Sequence, residues 1–332
     1  MKESKISRVL AAELVSNSGF KTFESKSHSI LFFNENYISS LFSERFDVGA
    51  DYEQFEQAFR IVTNGVGNEI AKINSVISSS LLSLLVFYKL FNNKSDEISL
   101  HLNLNELNER NYIFTQTLFE VRNKVIGYPS CVDVVLKATD GTLLFLESKF
   151  TEYLDRRKPY EKYGSGYCSL YNNLKDVFEA ADLSVKTDDG SLVLEANGDE
   201  QYIDGIKQTI SHLIGLVQGP QQSNDEIYED VYKEYLSLYQ SAPRLIYSTV
   251  LFDPTQILPE ADEAFNDYKR LYENAIGNNG ERIVSEIKTR FKSEYNPVIE
   301  VLPTPITYQQ MLNDDEAYKE KIPDRVLKFY QL

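Results

Sequence analysis

The chain of 332 residues carries 34 basic and 50 acidic side chains, a formal net charge of −16, with 42% hydrophobic and 25% charged content. Such a length buries a sizeable core, in one large domain or two small ones. Such a charge opposes non-specific attraction to nucleic acid or to an anionic membrane. Two cysteines, Cys131 and Cys168, form neither a disulfide framework nor a zinc-ligand spacing and suit a reducing cytoplasm. The first residues have acidic groups within their apolar part and no long apolar region, so no signal peptide is expected. The longest apolar run, Leu81 to Tyr88, is too short to span a bilayer, and a cytoplasmic protein without a membrane partner is expected.

In chain order, residues 1–60 alternate weakly helical segments with polar stretches and read as helical decoration. Asn64 to Asn68 is a glycine-containing turn without Walker spacing. Asn68 reads as an N-cap and Glu69 as the first-turn acid of a long helix running to Leu90. Strands are expected at Ile98 to Leu104, Thr115 to Val125 and Ser191 to Ala196. The apolar spacing of Ile203, Ile206, Ile210, Leu213, Ile214 and Val217 predicts a helix over 202–216, ended at Gly219-Pro220. It places Gln208 and His212 on one face. An acidic helix with core-facing tyrosines follows over 221–240, then a buried strand at 244–251. Residues 253–332 read as two or three helices with an extended piece at 298–306, a second decoration on a single domain.

The stretch from Pro129 to Leu154 organises the chain. Two apolar runs, Cys131 to Ala138 and Thr142 to Phe150, flank Thr139-Asp140-Gly141, a strong hairpin signal. Asp133, Glu147 and Lys149 lie inside those runs, where burial of charge costs several kcal/mol unless the groups pair or bind a metal. Glu147 and Lys149, two apart, share a face. With the turn centred near position 140, Asp133 stands opposite Glu147. Two close carboxylates repel unless a cation lies between them, and oxygen donors suit Mg²⁺ or Mn²⁺ better than zinc. The plainer reading is a solvated strand edge, with Asp133 pairing to Lys149 across the strands. An arginine-lysine cluster, Arg156-Arg157-Lys158, follows the hairpin.

Asp133 with Glu147-Ser148-Lys149 resembles the PD-(D/E)XK nuclease superfamily, with Pro129 displaced from the Asp. The segments GVGNEI…SSSLL and ESKFTEYL look like those of a bacterial subgroup of restriction-endonuclease-like proteins. The resemblance covers residues 65–252 and implies an α/β fold, a restriction-endonuclease-like core of order αβββαβ with a mixed central sheet flanked by helices. It implies metal ligands at Asp133 and Glu147, assisted by Glu69 on the first core helix, with Lys149 acting on the attacking water. Gln208 and His212 resemble a Gln-x-x-x-Tyr element with His in place of Tyr. Together with Ser148 they are the expected second-shell or substrate-contacting residues.

The expected activity is Mg²⁺- or Mn²⁺-dependent phosphodiester hydrolysis, as a DNA endonuclease of restriction or defence type, with DNA favoured over RNA as partner. A homodimer or a partner subunit would supply a second site or a basic surface. The alternative is a catalytically inactive nuclease-fold subunit of a larger nucleic-acid-processing or defence complex.

Overall fold

The computed structural model describes residues 5–25, 29–33, 39–64, 72–93, 95–104, 109–125, 129–154, 157–198, 200–222 and 226–332. Helices α1 (Lys5–Ser16), α2 (Ser39–Phe46) and α3 (Tyr52–Thr63) open the chain around a short hairpin, β1 (Phe23–Glu24) and β2 (Ile30–Leu31). Helix α4 (Ser79–Phe87) precedes strands β3 (Ile98–Asn103), β4 (Glu109–Asn123), β5 (Ser130–Ala138) and β6 (Leu143–Lys149). A lateral unit follows: β7 (Tyr160–Tyr163), α5 (Ser165–Tyr171), α6 (Lys175–Ala180), β8 (Leu183–Asp188) and β9 (Ser191–Ala196). Then come α7 (Ile203–Gln218), α8 (Glu226–Ser241), β10 (Leu245–Leu251), α9 (Asp262–Tyr272) and α10 (Gly280–Arg290). Strands β11 (Ile299–Val301) and β12 (Ile306–Thr307) and helices α11 (Tyr308–Asp314), α12 (Glu316–Lys319) and α13 (Asp324–Tyr330) complete the chain.

The central mixed sheet runs β11-β10-β6-β5-β4-β3, with β12 also on β10. Pairs β3·β4, β4·β5 and β5·β6 are antiparallel, whereas β6·β10, β10·β11 and β10·β12 are parallel. Both faces are covered, which is why the inner strands are apolar on both sides. Leu144 and Leu146 of β6 join the core packed by α1–α4 and α11–α13. Leu143 and Phe145 join the opposite core, built with α7, α9, α10 and the β7-β9-β8 sheet.

Gly141, at φ 86°, turns the β5–β6 hairpin in the left-handed region that glycine tolerates. Val134↔Leu146 through Lys137↔Leu143 then pair in the register expected from a turn centred on position 140. The sheet is irregular beside this ladder. Glu120 of β4 is buried at φ 53°, between the pairs Phe119↔Val134 and Val121↔Val132. Alternation reverses there on both strands: Phe119 and Val134 enter one core, Val121 and Val132 the other.

Three expectations are corrected. Among the described residues before Ser79, Lys72 is helical but 73–77 form turns and an isolated bridge from Ser75 to Leu31, so the helix is not continuous to Leu90; α4 starts one residue after Ser78, whose side chain caps it by accepting from the Leu81 N–H. Strand β4 begins six residues before the expected Thr115, and strands β7 and β8 were not anticipated. The C-terminal segment is more than helical decoration, because its β11 and β12 complete the central sheet beyond β10. Asn68 and Glu69 lie outside the described residues.

Candidate functional site

The face of β6 that carries Leu143 and Phe145 continues through Glu147 to Lys149, toward α7. That helix buries its Ile203-to-Val217 stripe as expected. It approaches the sheet closely through Gly215, where a Cβ would stand 2.7 Å from the Asn123 Cβ and 3.4 Å from the Ser130 Cβ. This approach brings two side chains of α7, one turn apart, onto β6. Gln208 Nε2 donates to Glu147 Oε1 at 2.5 Å, while Gln208 Oε1 accepts from Lys149 Nζ at 2.9 Å. Lys149 Nζ also donates to Glu147 Oε1 at 2.7 Å. One carboxylate oxygen, one ammonium and one amide thus close a triangle.

The second Glu147 oxygen faces His212. Its Oε2 lies 3.1 Å from His212 Nε2, and among the described residues neither atom has a hydrogen-bond partner although both are buried. The other imidazole nitrogen, Nδ1, shares a 2.6 Å hydrogen bond with Ser130 Oγ at the start of β5. Ser130 is buried and was not among the expected site residues; nothing in its spacing from Asp133 marks it, since only the approach of α7 brings it to His212.

Electrostatics hold Glu147 and Lys149 ionised. Burial by itself would raise the Glu147 carboxyl, but Lys149 and His212 outweigh it and keep the group well below the usual carboxylate range. Burial would likewise lower the Lys149 ammonium, yet Glu147, Glu152 and Asp133 outweigh it and raise the group above its ordinary value. Cys131 is of the opposite kind. Burial first, then Glu120, Asp133 and Glu147 against Arg122, push its thiol up to about 12, so no thiolate is available near neutrality.

Asp133 is also engaged by the backbone of the neighbouring strand. Its Oδ2 accepts the Ser148 backbone N–H at 2.7 Å, where the β5–β6 ladder stops at Val134↔Leu146. The carboxylate replaces the ladder partner that Ser148 loses as the strands part. Ser148 itself points away from Glu147 and Lys149: its Oγ lies 2.7 Å from Tyr308 Oη and donates to Ser79 O at 3.2 Å. Of the two expected roles, support of the site or contact with substrate, its side chain takes neither directly: it tethers β6 to α4 and α11, while its backbone amide supports Asp133. Glu152 is likewise engaged, accepting from the Phe150 and Thr151 amides and from Ser79 Oγ.

The expected ligand set of Asp133, Glu147 and Glu69 is not assembled among the described residues, where no three His, Cys, Asp or Glu side chains are grouped to hold a metal. Glu69 lies outside those residues. The fit to a divalent cation rests on Glu147 Oε2, a buried carboxylate oxygen without a hydrogen bond. The basic cluster is neutralised where it is described, Arg157 pairing with Asp267 and Lys158 with Glu161. No described helix is long and apolar enough to cross a membrane. Compared with protein-family models, curated proteins and solved structures, the chain matches none.

Proposed function

We propose that the chain is a metal-dependent phosphodiesterase with a restriction-endonuclease-like core, most readily a DNA endonuclease of restriction or defence type. The observation that carries the reading is the placement of Glu147 and Lys149 side by side on β6, at the point where that strand parts from Asp133 on β5. The sheet order β4-β5-β6-β10, with two antiparallel pairs and then a parallel one, supports the αβββαβ arrangement of such a core. Helices α4 and α7 on opposite faces support it further.

In this reading Glu147 and Asp133 hold a Mg²⁺ or Mn²⁺ ion, with Glu69 as a further donor. When bound, the ion supplies phosphate polarisation and hydroxide from water near neutral pH. Lys149 orients that water and offsets charge developing on the phosphate. Gln208 sets the Lys149 ammonium and can exchange its amide bonds for a phosphate oxygen or water. A second copy of the chain, or a partner subunit, would bring the second site needed to cut both strands of a duplex.

The test is cleavage of duplex DNA, single-stranded DNA and RNA by the purified protein with Mg²⁺ or Mn²⁺. Metal-dependent cleavage lost in Asp133→Asn and Lys149→Met, with folding verified by thermal melting, is the expected result. Equal cleavage by either variant overturns the assignment. The alternative, an inactive interaction subunit, is favoured by the net charge of −16 and by the ion-paired basic cluster. It predicts no cleavage and no metal uptake under any of these conditions.

A further inference from the structure

Glu147 Oε2 and His212 Nε2 lie 3.1 Å apart, both buried, and neither makes a hydrogen bond among the described residues. An imidazolium paired with a carboxylate would aim its N–H at the oxygen. At 3.1 Å the two atoms are close enough for such an ion pair, yet the ring N–H is not aligned with the oxygen. Donors held about 2.1 Å from one ion stand about 3.0 Å apart when they subtend a right angle. The spacing, within the range of an ion pair, equally fits two neighbouring ligands in one coordination shell.

The far side of the imidazole agrees. Histidines that ligate metals pass their other N–H to a fixed acceptor, which sets the tautomer and aims the free nitrogen. Ser130 Oγ stands 2.6 Å from His212 Nδ1 and can take that proton. The Tyr247 ring, with its centroid 5.8 Å from that of His212, walls the imidazole on the β10 side. Lys149 and Gln208 both bind Glu147 through Oε1, which leaves Oε2 to the imidazole side.

We infer that His212 is a nitrogen ligand, and that Glu147 and His212 together take Mn²⁺ in preference to Mg²⁺. The inference rests on the nuclease reading of the same site and names the ion it works with. An imidazole nitrogen suits Mn²⁺ and the later transition metals, whereas Mg²⁺ keeps to oxygen donors. Beside Glu147 and His212, the remaining positions would go to the Asp133 of that reading and to water, main-chain or substrate oxygens.

The experiment uses the full chain and Mn²⁺ alone, with pulsed electron paramagnetic resonance as the readout. Wild-type protein should bind Mn²⁺ at least ~10-fold more tightly than Mg²⁺ and show a histidine nitrogen coupling that changes on ¹⁵N-histidine labelling. His212→Gln should lose that coupling. The double variant His28→Gln/His101→Gln, which leaves His212 as the sole histidine, should keep it, and it decides the matter if His212→Gln does not fold. Bound Mn²⁺ without the coupling overturns His212 ligation and leaves the nuclease reading standing. Bound Mn²⁺ with the coupling, but no cleavage of DNA or RNA, supports the metal site and overturns the nuclease. No uptake of Mn²⁺ overturns the inference and, if cleavage is absent too, the nuclease with it.

Discussion

The Ser148 backbone amide donates to Asp133 across a gap that strand pairing has just vacated, at 2.7 Å. Asp133 is thus a backbone acceptor as well as a candidate ligand, and the two roles separate on substitution. Asp133→Ala strands a buried N–H and should cost about 1–3 kcal/mol. Asp133→Asn keeps an acceptor oxygen and should retain most of that stability while losing metal-dependent cleavage. Urea denaturation of both variants beside a cleavage assay checks this; equal stability losses would contradict it.

Lys149 and Glu147 form a pair whose side chains are 17% and 6% exposed, bridged by Gln208. Removing one partner of such a pair typically costs about 3–5 kcal/mol, because the other charge stays buried alone. Lys149→Met should therefore destabilise strongly, and Glu147→Gln/Lys149→Met should recover much of the loss. A double-mutant cycle by chemical denaturation measures the coupling; additive effects would show that solvent, rather than the partner, satisfies each charge.

The same pair sets a pH dependence in the metal-free protein. Burial opposes, but Lys149 and His212 prevail, so the folded Glu147 carboxyl titrates below its unfolded value of about 4.3. Its contribution is present above that unfolded value and is lost as pH falls toward the folded one. Lys149 is raised, so its contribution is full below about 10.4 and declines only as pH rises through the folded value. The stability difference between wild type and Glu147→Gln should be flat from about pH 6 to pH 9 and shrink below about pH 4. Melting temperatures across that range test it, and a difference that grows on acidification would reverse the assigned sign.

Gly215 holds α7 against β4 and β5, with a hypothetical Cβ only 2.7 Å from the Asn123 Cβ. Gly215→Ala forces the helix outward and should cost about 1–3 kcal/mol through overpacking, despite alanine's better helix propensity. Because Gln208 and His212 ride on the same helix, Mn²⁺ affinity should fall as well. Calorimetric titration of the variant, compared with its melting curve, distinguishes a displaced helix from mere loss of stability.

The sequence made the hairpin register readable because a turn centred on position 140 leaves one pairing that buries both apolar runs, and Val134↔Leu146 through Lys137↔Leu143 obey it. Periodicity likewise marked α7, β9 and β10, whose apolar positions lie on covered faces. Alternation also put Glu147 and Lys149 on one face, and helical spacing put Gln208 and His212 together. The turning of Asp133 toward Ser148 was not readable. It depends on a reversal at Glu120, a residue in a left-handed conformation that no propensity assigns to glutamate. Ser130 was hidden for a related reason: its partner lies 82 positions away, brought close by a glycine on another element. Among the described residues, strands β7 and β8 pair with β9 in a small sheet of their own.

The strands β11 and β12 have a consequence for anyone trimming the chain. Both lie along the side of β10 that faces away from β6. A fragment cut back to residues 65–252 would keep the hairpin and α7, yet expose β10 as a bare apolar edge, open to pairing with another chain. It would also remove Tyr308, the hydroxyl that holds Ser148 from behind. The last eighty residues thus work as a sealed hull behind the site, and a shortened chain should aggregate before its chemistry could be assayed.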